Sequence, residues 1–451
     1  MKQTNDFMRT RPVFGLLMSM SVPMMLSMLI QSLYNIVDSI YISRLGTQAL
    51  TAVSLAFPLQ NITVSVAVGV GVGISSAISI YLGAGNHEKA NRAATIGVAL
   101  SAVHCLLFVG FGLLVTKPFL ALFTKDSQTL MLASQYTYIV LCVSFGCLLQ
   151  LAMEKIFQGV GAMKATMVLL ATGCIINIIL DPILIFGLFG VPAMGITGAA
   201  IATVTGQIAA FLLYVAVYHV RRKNFPVAIH PKYLHFDKEI IRQIYSVGIP
   251  STIMLLLPSI LVSILNRLLT GFSEIYVAVL GVYFKLQTFI YMPANGIVQG
   301  MRPIIGFNYG AGDMDRVRKV IRYSLYTAAA IMLAGTAAAM IIPAQIFAMF
   351  DAEEALLSAG TTALRIISCG FLISTIGIIY SGTFEALGMG KESLIISLLR
   401  QFVITLPLSF ILSQAFGVIG IWLAFPLAEA AASIVGIFML KKVHGGKIAP
   451  I

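Results

Sequence analysis

The chain has 451 residues, of which 59% are hydrophobic and only 10% are charged. Soluble domains carry about 25% charged residues, so this composition excludes an ordinary soluble protein. The formal net charge of +12 is carried by short segments between long apolar runs. That placement is typical of membrane topology and argues against nucleic-acid binding. The sequence therefore predicts an all-α integral membrane protein.

Twelve apolar runs are long enough to cross a membrane, since about 20 helical residues span its hydrocarbon core. In chain order the predicted spans are 13–42, 49–82, 93–116, 128–158, 165–188, 195–219, 243–270, 275–306, 318–342, 353–385, 393–414 and 418–440. Several exceed the minimum length, which a tilted or kinked helix accommodates. Candidate kinks lie at Pro23, Pro58, Pro250 and Pro293. The first run lacks a small-residue cleavage site, so it is predicted as a helix and not as a signal peptide.

Lysine and arginine concentrate in alternate loops. With the amino terminus placed inside, the outer loops hold only Arg44, Lys117 and Lys125 of the basic residues outside the spans. Basic residues accumulate on the cytoplasmic side of membrane proteins, so both termini are predicted to be cytoplasmic. The expected location is the cell (plasma) membrane, as a multi-pass protein of a bacterial inner membrane.

The chain repeats itself at an offset of 227 residues. Proline, glycine and basic positions coincide between the halves, among them Pro23 with Pro250, Gly69 with Gly296, Gly73 with Gly300, 83–85 with 310–312, and Gly161 with Gly388. Each half holds six spans, an even number, so the halves form a parallel repeat suited to alternating access. The predicted domains are an N-terminal six-helix lobe at 1–220, a cytoplasmic linker at 221–242 and a C-terminal six-helix lobe at 243–451.

Five acidic residues fall within the predicted spans: Asp38, Glu154, Asp181, Glu385 and Glu429. A charged group inside a membrane needs a partner, a cavity or a proton, so each is a candidate functional residue. Asp38 is the foremost candidate, because Gln31, Tyr34 and Asn35 recur on its helical face at spacings of three and four. This polar stripe predicts the wall of a substrate cavity. The structural alternative is a hydrogen-bonding contact between helices.

Asp181 is the second candidate, with Asn177 one helical turn before it and Pro182 directly after it. Oxygen atoms from two carboxylates, an amide and a freed carbonyl suit a hard cation, so Asp38, Asn177 and Asp181 form a possible Na⁺ site. A carboxyl group that retains a proton is the alternative. Thr203 and Gln207, one turn apart in the sixth span, would complete the group, or would serve packing alone.

The remaining charged residues of the spans receive weaker predictions. Glu154 adjoins Lys155, which indicates a structural ion pair or a snorkelling lysine. Glu385 and Glu429 coincide with glutamines in the repeat, which favours structural roles, although Glu429 stays a secondary candidate. Lys285 is the most deeply placed base and is assigned to the substrate cavity, where it would neutralise a carboxylate.

Glycine-rich segments at 69–73 and 83–85 resemble phosphate-binding loops only superficially, because no strand precedes them and no GK[ST] follows. Close helix packing explains the first segment, and a turn after a helix explains the second. No HExxH sequence or Ser/His pairing is found either, so an enzyme is not predicted.

Five segments together resemble the multidrug and toxic compound extrusion (MATE) family over essentially the whole chain. They are LYNIVDSIYISRLG (33–46), NIILDPILIFG (177–187), GITGAAIAT (195–203), PIIGFNYGAG (303–312) and the two half-repeats. The resemblance implies two pseudo-symmetric six-helix bundles around a V-shaped central cavity. It also implies a cation site at Asp38, Asn177 and Asp181, with Thr203 as a further member, and a bend of the first helix at Pro23.

One departure from the family pattern concerns the second half. Some relatives carry further carboxylates there, whereas this chain has Leu265 where the repeat matches Asp38 and Leu408 where it matches Asp181. The sequence therefore predicts that cation coupling rests on the first lobe.

The predicted function is a cation-coupled antiporter, driven by H⁺ or Na⁺, that exports amphipathic organic cations or drugs by alternating access. Its expected partners are small amphipathic cationic substrates and membrane lipids, with no nucleic acid, no cofactor beyond the coupling ion, and a monomeric state. The alternative is a lipid-linked oligosaccharide flippase of the same superfamily. Such a cavity would need more basic side chains to bind pyrophosphate, and Lys285 and Arg302 leave that open.

Overall fold

The computed structural model describes residues 7–350 and 354–445. Within these ranges the chain forms helices and contains no strand. The α-helices are α1 Phe7–Thr10, α2 Val13–Ser43, α3 Thr47–Gly83, α4 His87–Ala121, α5 Ser127–Cys142, α6 Phe145–Gly159, α7 Met163–Phe186, α8 Gly195–Arg221, α9 Lys238–Thr270, α10 Glu274–Gly310, α11 Met314–Ile341, α12 Pro343–Ala348, α13 Glu354–Ala386, α14 Gly390–Leu398, α15 Thr405–Phe416 and α16 Val418–Gly445. A 3₁₀ turn at Pro231–Tyr233 follows α8, and a π-helix at Leu399–Val403 joins α14 to α15.

Eleven helical segments of the described chain are long and apolar enough to cross a membrane, with α14 to α15 counted as one. The pair α5 and α6, bent by 44°, raises the number to twelve if it forms one span. The prediction of an all-α membrane protein with up to twelve spans is therefore confirmed.

One bend occurs where the sequence offered no candidate proline. All four candidate prolines lie inside continuous helices, whereas the 44° bend lies between Cys142 and Phe145, where no proline occurs. Gly146 is the second residue of α6, and a Cβ there would come within 2.8 Å of the Ile208 side chain on α8. The bend therefore coincides with a close approach between α6 and α8.

The chain divides into two compact units. The first comprises Leu26–Thr252 with the segment up to Thr10, and the second comprises Arg11–Met25 with the chain from Ile253 onward. Helices α2 and α9 are thus each shared: the first half of α2 packs in the second unit, and the first half of α9 packs in the first. The segment 221–242, expected as a linker, belongs to the first unit.

The repeat is visible in the helix boundaries. Helices α3, α4 and α7 of the first half correspond to α10, α11 and α14 of the second. The three pairs begin at Thr47 and Glu274, at His87 and Met314, and at Met163 and Gly390. Each pair differs by the 227 residues seen in the sequence. The turns match as well, because Gly85 and Gly312 adopt left-handed φ values of +74° and +75°. The predicted turn at 83–85 is confirmed, and each half closes its hairpin in the same way.

Glycines on α3 allow α9 to cross it closely within the first unit. A Cβ on Gly73 would lie 2.1 Å from the carbonyl oxygen of Ile244, and a Cβ on Gly69 would lie 2.6 Å from the backbone nitrogen of Thr252. Real Cβ atoms do not approach backbone atoms so closely, so only glycine fits. The predicted close packing at 69–73 is confirmed.

The second unit repeats this crossing between α10 and the first half of α2. A Cβ on Gly300 would lie 2.7 Å from the backbone nitrogen of Ser21, and a Cβ on Gly296 would lie 3.0 Å from that of Met25. Each unit is therefore completed by half of a shared helix that lies against two glycines.

Candidate functional site

The four residues assigned to cation coupling come together inside the first unit. Asp38 lies on α2, Asn177 and Asp181 lie on α7, and Thr203 lies on α8. Asp181 is 0% exposed, and Asn177 and Thr203 are each 3% exposed. The carboxyl groups of Asp38 and Asp181 are close enough to interact directly. Two acids separated by 143 positions of the chain thus share one buried site.

Three further side chains surround these acids. The phenol groups of Tyr34 on α2 and Tyr136 on α5 both approach the Thr203 hydroxyl. Gln60 on α3 lies beside Tyr136. Five helices of one unit therefore contribute polar groups to a single site.

The oxygen atoms of the site receive almost no hydrogen bonds from the protein. Asp38 Oδ1, both carboxylate oxygens of Asp181, the Asn177 side-chain amide and Thr203 Oγ1 are buried and have no hydrogen-bond partner. Buried polar atoms are usually satisfied, and exceptions in native proteins occur where an ion or proton is bound or a function requires them. The site therefore presents several buried oxygen atoms without hydrogen-bond partners, and oxygen ligands of this kind suit Na⁺ or H⁺.

An apolar layer closes the site toward one end of the unit. One helical turn beyond the site residues, on five different helices, lie Ile42, Ala56, Ala133, Ile185 and Ala199. These residues are at most 5% exposed and belong to one core cluster. Because alanines let helices approach closely, the layer excludes water from that side of the acids.

Glycines position Asn177 between α7 and α8. A Cβ on Gly206 would come within 3.0 Å of the Asn177 Cβ, and a Cβ on Gly173 would come within 2.8 Å of the Ala210 Cβ. The two helices therefore contact along a small-residue seam, which sets where the amide stands relative to Asp181.

The residues assigned to the substrate cavity do not all join this site. Tyr34 faces the acids, whereas Gln31 and Asn35 are exposed on α2 and Gln207 is half-buried on α8. Lys285 lies in the second unit, is exposed, and places its Nζ 6.0 Å from the centre of the Phe350 ring. Of the polar stripe expected on α2, Tyr34 and Asp38 therefore approach Thr203 and Asp181, whereas Gln31 and Asn35 remain exposed.

Glu154 and Lys155 form the structural pair that their adjacency predicts. Lys155 Nζ lies 3.3 Å from Glu154 Oε1 and 2.9 Å from the side-chain oxygen of Gln158. The Gln158 amide donates to Glu154 at 2.9 Å. Both charged residues are at most 5% exposed, so the lysine is paired in the interior and does not snorkel.

The two acids within the predicted spans of the second unit, Glu385 and Glu429, are paired with arginines. Arg302 on α10 binds the Glu385 carboxylate on α13. Arg400, in the π-helix, places Nε 2.8 Å from Glu429 Oε1 on α16. The structural role expected for Glu385 fits its pairing, because each charge neutralises the other.

Sequence reasoning missed Tyr136, Gln60 and Gly206. Gln60 carried a usable signal, since it is a polar residue within an apolar span and coincides with Gln287 in the repeat. No local pattern distinguishes Tyr136 or Gly206 from other tyrosines and glycines, because their importance depends on which helices meet.

Comparisons with known proteins agree with this geometry. The MatE family model matches residues 23–183 and 250–411, one segment in each half. The multidrug export protein MepA of Staphylococcus aureus is 27% identical over 434 residues, which cover 95% of this chain and 94% of that protein. MepA of Staphylococcus saprophyticus is 26% identical over 433 residues, with the same coverage.

Solved structures resemble the whole chain. A MATE crystal structure in a bent conformation superposes with a TM-score of 0.90 at 27% identity, covering 99% of this chain and 100% of that one. A MOP superfamily transporter from Pyrococcus furiosus superposes with a TM-score of 0.90 at 26% identity, covering 99% and 98%. The likeness extends across all described helices and is not confined to one half.

Proposed function

The chain belongs to the MatE family and is therefore a membrane transporter and not an enzyme, and we propose that it exports amphipathic organic cations in exchange for H⁺ or Na⁺. The observation that carries this proposal is the interacting pair Asp38 and Asp181, of whose four carboxylate oxygens three are buried without a hydrogen-bond partner. The relatives' name, multidrug export protein, supports the direction of transport.

The coupling step follows from charge. Two carboxylates in one buried site repel each other, and burial of uncompensated charge in a membrane costs about 2.5 kcal/mol or more for each group. A cation that enters the site removes this cost, whether it is Na⁺ held by oxygens or a proton on one carboxyl. Asn177 and Thr203 supply two further oxygens. Binding and release of that cation thus change the stability of the site by several kcal/mol.

Coupling to the rest of the transporter would pass through α2. Its second half carries Tyr34 and Asp38 into the first unit, whereas its first half, which contains Pro23, packs in the second unit. A change of charge at Asp38 therefore acts on a helix that belongs to both units. An organic cation would be displaced when the coupling ion binds, either by competition for the same negative charge or through movement of α2.

The direct test is transport by purified protein in proteoliposomes under an imposed pH gradient or an imposed Na⁺ gradient. We expect one gradient to drive efflux of a fluorescent organic cation, and Asp38→Asn or Asp181→Asn to reduce that efflux to background. Asp126→Asn is the matched control, because Asp126 caps α5 in a loop and asparagine caps helices equally well. Undiminished gradient-driven efflux by either site variant would overturn the assignment.

We further propose that both termini are cytoplasmic and that the protein resides in the plasma membrane of a bacterium. The concentration of basic residues in alternate loops supports this orientation. Single cysteines at Lys125 and Lys232, in a variant without the native cysteines, would distinguish the sides. A membrane-impermeant thiol reagent added to intact cells should label the first position and spare the second.

The pairing of Arg302 with Glu385 weakens the case for the flippase alternative. A pyrophosphate group needs unneutralised basic side chains. Arg302, one of the two bases that left this alternative open, is bound by Glu385. Binding of a lipid pyrophosphate without efflux of organic cations would favour the flippase.

A further inference from the structure

The start of α11, in the second unit, carries a basic cluster that the proposed export function does not use. Arg318, Lys319 and Arg322 line a surface cavity of about 300 Å³ together with Asp315. All four residues are exposed, and Arg318 pairs with Asp315 at 2.9 Å. Across residues 7–350 and 354–445, neither Lys319 nor Arg322 forms an ion pair. The cavity therefore keeps a net positive charge.

In the first unit, the matching face of α4 is covered by the chain itself. The repeat offset of 227 residues places the basic cluster on positions 91, 92 and 95. The Asn91 side-chain oxygen accepts a hydrogen bond from the Ala228 backbone N–H at 2.6 Å, and the Thr95 hydroxyl accepts one from the His230 backbone N–H at 3.3 Å. Uncharged side chains on this face thus hold a segment of backbone.

The base that α4 does carry at these positions is neutralised. Arg92, which matches Lys319, places Nη2 2.6 Å from Glu88 Oε1 and Nη1 3.5 Å from Asp237 Oδ2. The two faces therefore differ in chemistry as well as in covering. The first is occupied and neutral, whereas the second is open and positive.

An apolar stripe continues from the basic cluster along α11. Tyr326, Ala330 and Leu333 follow Arg322 at spacings of four, four and three residues, so they share its helical face. All three are exposed, Tyr326 by 65% and Leu333 by 56%. Because α11 is long and apolar enough to cross a membrane, an exposed apolar face of this helix meets lipid chains. A charged end followed by an apolar length has the layout of a phospholipid.

Aromatic residues indicate the depth of the cluster. Tyr323 and Tyr326 lie within one helical turn of Arg322. The Tyr323 ring centre is 5.8 Å from that of Phe14, at the start of α2. Tyrosine is enriched at the boundary between membrane and water. The basic side chains therefore stand at the level of the lipid headgroups.

We propose that Arg318, Lys319 and Arg322 bind the phosphate group of an anionic phospholipid whose acyl chain lies along the exposed face of α11. Arginine and lysine bind phosphate through charge-assisted hydrogen bonds, and basic clusters beside a membrane helix recognise anionic lipid. Phosphatidylglycerol fits this site because its phosphate charge is not compensated, whereas phosphatidylcholine carries its own positive group. The lipid takes the place in the second unit that residues 228–230 take in the first.

The test is quenching of a tryptophan by phospholipids with brominated acyl chains, in bilayers that hold the full chain. Leu333→Trp places the reporter about 16 Å along α11 from Arg322, at the depth of the acyl chain. Trp422, the one natural tryptophan, is 1% exposed, so acyl chains do not reach it. Brominated phosphatidylglycerol should quench the reporter with an apparent affinity about 5- to 25-fold above that of brominated phosphatidylcholine, since each base near anionic lipid contributes about fivefold.

Leu106→Trp is the matched control reporter. Leu106 lies on α4 at the position matching Leu333 and is 74% exposed, so it also meets lipid. Because the corresponding face of α4 is covered and neutral, the two lipids should quench this reporter with affinities that differ by less than about twofold.

Two charge variants, made with the reporter at 333, separate a local site from the general field of the protein. Lys319→Gln combined with Arg322→Gln should reduce the preference for phosphatidylglycerol to less than about twofold. Lys441→Gln combined with Lys442→Gln removes the same charge from the exposed end of α16. The second variant should keep the preference of the unaltered charges.

Several outcomes would overturn the proposal: equal quenching by both lipids at 333, an equal preference at 106, or a preference that survives Lys319→Gln with Arg322→Gln. Glycerol phosphate in solution carries the same charged group without acyl chains. If it abolishes the preference at millimolar concentration, the cavity binds a soluble anion and the lipid assignment is wrong. The two exposed reporters carry the test if the charge variant does not fold. No ion gradient is used, so failure of the proposed export function leaves the result unaffected.

Discussion

Asp38 and Asp181 interact inside the first unit, and three of their four carboxylate oxygens are buried without a hydrogen-bond partner, whereas Glu385 and Glu429 of the second unit are each bound by an arginine. The helical frame is the same in both, down to helix boundaries that differ by a constant offset. Where the repeat matches the acids of the first unit, the second has leucines. One copy thus retains uncompensated charge that needs an external cation, and the other supplies its own counter-charges.

The largest effect is expected where α9 crosses α3 and where α2 crosses α10. Variants at these crossings test whether the two units tolerate changes in helix packing equally. Gly73→Ala and Gly300→Ala each insert a Cβ against backbone atoms of the crossing helix. We expect each variant to lose folded protein in detergent, measured as the monodisperse fraction in gel filtration. Backbone atoms cannot move aside as the end of a flexible side chain can.

Gly281→Ala is the control for this test. It lies on α10 as Gly300 does, but an added Cβ there meets no atom within 4 Å. Alanine is favoured over glycine inside a helix by about 0.5–1 kcal/mol, so this variant should be neutral or slightly stabilised. Equal loss in all three variants would show that the crossings are not special.

The next largest loss of stability should come from breaking an ion pair of the second unit. Arg302→Met leaves the Glu385 carboxylate buried beside an apolar side chain. Removing one partner of a buried pair costs about 3–5 kcal/mol. The melting temperature in detergent should fall, and Arg302→Met combined with Glu385→Leu should recover most of the loss. A double variant as unstable as the single one would argue against charge pairing as the cause.

Replacing the two acids of the first unit by the leucines of the second should stabilise the protein, in contrast to the loss of an ion pair. Asp38→Leu combined with Asp181→Leu removes two carboxylates, three of whose oxygens have no hydrogen-bond partner, and introduces leucine, the residue found at 265 and 408. We expect stabilisation by about 1–3 kcal/mol, seen as a higher melting temperature, together with loss of gradient-driven efflux, because active sites often retain destabilising groups. The reverse graft, Leu265→Asp, should destabilise by about 2.5 kcal/mol or more.

The smallest change in stability should come from exposed basic residues that match in the repeat, Lys89 and Arg316. Lys89 Nζ lies 2.7 Å from Glu239 Oε1, with side chains 32% and 53% exposed. Arg316, its counterpart, binds the backbone carbonyl of Arg11. Exposed pairs contribute about 0–1 kcal/mol. Lys89→Ala should change the melting temperature by no more than a degree or two at 0.15 M salt, and a fall of many degrees would contradict this ranking.

The sequence predicted the helical frame, and it singled out Asp38 and Asp181, which the structure brings together in one site. Hydrophobic runs and a constant offset are local or strictly periodic signals, and a carboxylate within an apolar run is rare enough to single out Asp38 and Asp181. The arginine partners of Glu385 and Glu429 could not be predicted, because Arg302 precedes Glu385 by 83 positions and Arg400 comes from a π-helix that no periodicity reveals. Lys285 stood out by its depth in an apolar run, and the structure exposes its side chain beside the Phe350 ring.

The shared helices have a consequence for how such a protein can arise. A six-helix ancestor with this architecture would lack, within its own fold, the half-helix that lies against its two glycines. Two copies could each complete the other by exchanging their first half-helices, as in a domain-swapped dimer. Fusion of the copies then converts a partner's contribution into part of the same chain. The fused halves stay together, so each can change its side-chain chemistry independently. Under that condition one copy can keep unpaired carboxylates while the other gains arginines.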